Sequence, residues 1–149
     1  SYAAQNVKKF SFERDSKNIS RRYKDFLTLL ITSLIVKRFA KGEKPYTANE
    51  ISESYRIPTR ITTQILYFLC EANIIIEVFY GKDDRVSHYQ PAIDINLLTV
   101  GYLMTVIDKY GSENFKIDTT HQFNKEWNAL IKTREDMRKA NDNILLKDL

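Results

Sequence analysis

Five residues in the middle of the chain, Thr59, Arg60, Thr63, Gln64 and Tyr67, carry hydroxyl, guanidinium, carboxamide and phenol groups at helical spacing. On a helix that spacing gathers them on one side. Guanidinium and carboxamide groups make bidentate hydrogen bonds to base edges in a major groove, while hydroxyls and phenols reach phosphates. Lys82 and Arg85 follow, close to a turn, and could add contacts to a nucleic-acid backbone. The nucleic-acid candidates are therefore Arg60, Thr63, Gln64, Tyr67, Lys82 and Arg85. Their net charge is modest, because Asp83 and Asp84 offset Lys82 and Arg85. Phosphate neutralisation supplies most of the affinity for DNA, so a sparse set of this kind weighs against groove reading.

Other chemistry finds little material. His88 and His121 lack the spacing of a metal pair, and the single Cys70 excludes a cysteine cage or an internal disulfide framework. Cys70 stands among Leu66, Phe68 and Leu69 and reads as a small hydrophobe. His88 reads as a surface or cross-strand residue. The acid pair Asp83–Asp84 reads as turn chemistry, and Glu135–Asp136 as helix-surface charge near Lys132, Arg138 and Lys139. No phosphate-cradling glycine loop or nucleophile triad is present. The reading is a non-catalytic chain that calls for no cofactor and no metal.

The elements that must position the polar face follow from local signals. Ile61, Ile65, Phe68, Leu69 and Ala72 supply the apolar side of a helix over residues 59–72, and Asn73 suits a left-handed stop. Ahead of it, "TANE" is a capping box in which Thr47 and Glu50 satisfy each other's amides. That short helix should turn Ile51 and Tyr55 inward and end before "RIP", where Pro58 opens the next one. "IIIEVFY", "GKDD" and "RVSHYQP" predict strand, turn, strand. Helices are expected over about 17–41 and 97–110, and from about 120 to 141, the last with a stripe of Phe123, Trp127, Leu130, Arg134 and Met137. The fold class is mainly α with a small β-hairpin: a winged helix-turn-helix plus a C-terminal helical extension. The expected divisions are a juxtamembrane or linker segment at 1–16, the winged-helix domain at 17–118 and the extension at 119–149.

The charge is uneven. Residues 1–60 hold 13 Lys/Arg against 6 Asp/Glu, +7, and residues 61–149 hold 10 against 13, −3. The basic groups collect on and around the first helix, so an anionic membrane surface competes with nucleic acid as the partner. The apolar run "FLTLLITSLIV" spans 11 residues, about half of what a bilayer crossing needs, and reads as a buried core helix or a dimer seam. Self-association is expected through the first or the last helix. The chain opens on Ser1 and not on Met, which reads as a piece of something longer.

Several strings, "SYAAQN", "SKNISRRYKDFLTLLI", "YQPAIDINLLTVGYLM", "DKYGSENFKID" and "NILLKDL", resemble the C-terminal cytosolic extension of the YihY/BrkB membrane-protein family in its Bacteroides-like form, across nearly the whole chain. The resemblance implies a regulatory or assembly domain on the cytoplasmic face of the inner membrane, with the protein's own N-terminal membrane domain as partner. Lys8, Lys9, Arg21, Arg22 and Lys24 would then face the membrane, as the positive-inside rule asks. The family's label, ribonuclease BN, implies a tRNA-processing role; clustered His and Asp are missing here, so no catalytic residue is carried over. A DNA-binding winged-helix transcriptional regulator is the alternative.

Overall fold

The computed structural model describes residues 18–149. Its first helix, α1 (Arg21–Ala40), starts where Ser20 Oγ accepts from the Tyr23 amide at 3.1 Å. Three of its buried residues are polar, yet each hydroxyl bonds back into the helix. Thr28 donates to the Lys24 carbonyl at 2.9 Å, Thr32 to Thr28 at 2.7 Å and Ser33 to Leu30 at 2.8 Å. With those groups satisfied, α1 can be buried along its second half and form the centre of the molecule.

Strand β1 (Tyr46–Thr47) leads into α2 (Ala48–Tyr55) through the expected capping box: Glu50 N to Thr47 Oγ1 at 3.1 Å, Thr47 N to Glu50 Oε1 at 3.2 Å. The turn that follows is tight. Arg56 takes a left-handed φ of 55°, and Ser52 clasps Ile57 from both sides, its carbonyl accepting from Ile57 N at 3.1 Å and its buried Oγ donating to Ile57 O at 2.5 Å. Helix α3 (Thr59–Glu71) then runs to Asn73, whose φ of 59° closes it as a left-handed cap, with Ile74 N bonded to Leu69 O at 2.9 Å.

Strands β2 (Ile75–Tyr80) and β3 (Asp83–Pro91) form the wing, joined by Gly81 and Lys82. Gly81 sits at φ 72°, which a two-residue hairpin turn demands at its first central position. Asp83 and Asp84 thus belong to the strand and not to the turn as expected. The sheet has three strands in the order β1-β3-β2, all antiparallel, with Tyr46 opposite Tyr89 and Thr47 opposite His88. His88, expected at the surface or across a strand, is 4% exposed. Tyr55 was expected inward; it lies exposed with its hydroxyl 2.8 Å from that of Tyr46.

Helix α4 (Val100–Lys109) is capped by Thr99, whose Oγ1 accepts from Tyr102 N at 3.0 Å. Helix α5 (Asn124–Asn141) begins later than expected and buries none of its residues. The turn ahead of it is organised by Asp118, whose carboxylate accepts from the amides of Thr120, His121 and Gln122 at 2.9–3.2 Å. The His121 and Gln122 amides hold this carboxyl below the usual carboxylate range. Because the folded value is the lower one, support for the turn is full above the ordinary carboxylate range and is lost as pH falls through the folded value. The protection of the His121 and Gln122 amides, as NMR exchange rates relative to the intrinsic rate at each pH, should fall on that acid limb and be lower at neutral pH in Asp118→Asn.

The chain then returns to the body. Val100 N bonds Ile144 O at 2.8 Å, Leu146 N bonds Leu98 O at 3.0 Å, and a 3-10 turn (Leu146–Asp148) places Leu146, 0% exposed, in the core with Ile31, Ile35, Ile51, Ile65 and Leu103. The crossing of α4 and α5 depends on Gly101. A Cβ there would lie 2.5 Å from Asp142 Oδ1 and 2.9 Å from the Arg138 carbonyl. Helix propensity alone favours Gly101→Ala by about 1 kcal/mol. The Asp142 side chain can swing away but the Arg138 backbone cannot, and forced overpacking costs about 1–3 kcal/mol. Gly101→Ala should therefore be net destabilising in chemical denaturation; a gain in stability would show that α5 is free to shift.

Candidate nucleic-acid interface

Helix α3 splits cleanly. Ile61, Thr62, Ile65, Leu66 and Leu69 are buried against the body, while Thr59, Arg60, Thr63, Gln64 and Tyr67 face outward. Tyr67 is 68% exposed. Thr59 is anchored to the preceding turn by its hydroxyl, 3.2 Å from Ser52 Oγ, so the clasp that shapes the helix-turn-helix also fixes the start of α3. The Thr63 hydroxyl donates to the Thr59 carbonyl at 2.5 Å.

Lys24, from the first turns of α1, joins this face: it lines one open groove together with Arg60, Thr63, Gln64 and Tyr67. The sequence placed Lys24 with a membrane-facing group and the other four with nucleic acid; the packing of α1 against α3 merges them. Arg21 and Arg22 are exposed on the same end of α1, and Lys82 and Arg85 are exposed at the wing. Lys8 and Lys9 lie outside the described residues. The sequence confined Lys24 to an end of α1 without saying which helix it would meet. The second half of α1 is too apolar to carry charge, which confines its cations to the ends, and one end must lie near whichever helix crosses it.

The remaining chemistry is structural. Among the described residues no group of His, Cys, Asp and Glu could hold a metal ion. Cys70 is half-buried and burial, with Glu77 and Glu71 nearby, pushes its thiol up, away from a reactive thiolate. The hydrogen bond to Tyr46, ahead of burial, pushes the Tyr55 phenol up. Arg38 covers the Tyr46 ring at 4.1 Å and bonds the Lys44 carbonyl at 2.8 Å, tying α1 to the loop before β1.

The fold is that of bacterial regulators. Staphylococcus aureus CymR matches with a TM-score of 0.57 over 85% of this chain and 93% of its own, at 20% identity. T. potens IscR matches at 0.60 over 89% and 87%, at 17% identity. CymR, the global cysteine regulator of B. subtilis, matches at 0.58 over 88% and 94%, also at 17% identity. No protein-family model and no curated protein matches the chain.

These neighbours overturn the resemblance to the YihY/BrkB family and the membrane-protein function drawn from it. The fold these neighbours share spans 85–89% of this chain. Among the described residues no helix is long and apolar enough to cross a membrane. The apolar stretch of α1 is packed inside the winged helix, and Lys24 lies beside α3. The winged helix-turn-helix itself stands as expected, and the global cysteine regulator of B. subtilis shares it.

Proposed function

We propose that this chain is a DNA-binding transcriptional regulator that lays α3 in a major groove. The observation that carries the reading is the shared groove of Lys24, Arg60, Thr63, Gln64 and Tyr67. It adds a second cation to the α3 face, next to two side chains suited to base edges. Arg21 and Arg22 at the same end of α1, and Lys82 and Arg85 on the wing, extend the surface toward flanking phosphates. The protein acts in the cytoplasm as a homodimer joined through α5. That helix lies against α4 with none of its residues fully buried and leaves Leu130 and Met137 exposed, with Phe123 exposed at its start, whereas α1 is committed to the core.

The test is a titration of short duplexes from a random-sequence pool, read by fluorescence anisotropy at several salt concentrations. Binding should weaken steeply with salt, and Lys24→Ala should weaken it on all sequences and lower the log–log salt slope by about one. No binding at low salt would overturn the reading; an unchanged slope in Lys24→Ala would remove Lys24 from it.

A further inference from the structure

The exposed face of α3 is mostly polar, with the Tyr67 ring at one end and Thr63 in its middle. Thr63 is exposed, and its hydroxyl hydrogen is taken up by the Thr59 carbonyl at 2.5 Å, which leaves its oxygen only as an acceptor. A threonine that bonds back into its own helix turns its oxygen toward the preceding turn. What it then presents outward is its methyl group. Arg60, Gln64 and Lys24 line the same groove as Thr63, with Tyr67 one turn further on.

In a major groove the base edges offer hydrogen-bonding groups and a single apolar one, the 5-methyl of thymine. From this geometry we infer that Thr63 selects thymine by methyl–methyl contact, within a half-site whose guanine and adenine are taken by Arg60 and Gln64. Arg60 and Gln64 are one helical turn apart, about 5–6 Å between their Cβ atoms, which matches about two base steps. Thr63, the neighbour of Gln64, falls between or beside those steps. The selected half-site is therefore a compact run of guanine, thymine and adenine, in an order set by the direction of α3. This rests on the DNA-binding reading above and adds to it which base is recognised through its methyl.

The experiment separates the two. Wild-type protein is used to enrich duplexes from a random pool, and each thymine of the enriched site is then replaced by deoxyuridine, which removes the methyl and nothing else. One thymine per half-site should lose about fourfold in affinity on this change, the worth of one buried methyl. Thr63→Val, which keeps the methyl and lacks the hydroxyl, should retain that discrimination. Thr63→Ser, which keeps the hydroxyl and lacks the methyl, should bind thymine and deoxyuridine sites equally. Discrimination that survives in Thr63→Ser, or vanishes in Thr63→Val, assigns the reading to the hydroxyl and overturns the inference. So does an enriched site in which no thymine responds to the change. A pool from which nothing is enriched, with no salt-sensitive binding, instead overturns the DNA-binding reading itself. Thr63 is exposed, and a wild-type circular dichroism spectrum and melting temperature confirm that each variant is folded.

Discussion

Leu146→Ala should cost about 2–5 kcal/mol of stability, the range for emptying a fully buried leucine site. In a domain of this size that lowers the melting temperature by roughly 4–20 °C, at about 2–4 °C for each kcal/mol. The effect is expected at the high end. Leu146 is 0% exposed, and its neighbours cannot collapse into the gap easily, because its own amide is held by Leu98 O and Ile144 O is held by Val100 N. Circular dichroism melts of the wild type and variant measure it. A loss under about 1 kcal/mol would mean that residues 144–149 rest on the surface of the core and do not complete it.

The second large effect is on binding. Arg60→Ala with Gln64→Ala should abolish preference for the enriched site over unselected duplex, by at least about thirtyfold. Each bidentate contact to a base edge discriminates by about 1–3 kcal/mol, so two give about 2–6 kcal/mol if they act independently. They are neighbours on one face, so the double variant can depart from the sum of the singles, and all three need measuring. Competition titrations with unselected duplex separate this from a loss of general affinity. Equal weakening on both kinds of DNA would make Arg60 and Gln64 phosphate contacts and return base reading to other residues.

The helix-turn-helix was legible in the sequence because its signals are local. The Thr47–Glu50 capping box, the Pro58 break, the apolar period of α3 and the left-handed Asn73 each act within a few residues, and all appear as read. The wing hairpin was legible for the same reason, although its turn is Gly81–Lys82 and not all of GKDD. Features that depend on distant pairing were not. Tyr46–Thr47 is too short to announce itself as a strand and exists because β3 pairs with it. The burial of His88 depends on which face of that sheet meets the body, and alternation along a strand leaves this open. Lys24 joined α3 only through the crossing of two helices.

The misplaced family resemblance has a physical explanation too. An apolar helix with cations at both ends looks alike whether it is sealed inside a winged helix or sits beside a membrane. The buried hydroxyls of Thr28, Thr32 and Ser33, each satisfied by its own helix, make α1 a core helix in spite of its polar content. Short matching strings report composition and period, and neither fixes what a helix packs against.

The return of the chain at Leu146 also bears on the order of events during synthesis. α1 emerges from the ribosome more than one hundred residues before the side chain that completes its packing. Until then the apolar flank of α1 stays partly open, and the loop to be closed is nearly as long as the protein. The packing of α1 is thus completed only once translation has passed the last turn.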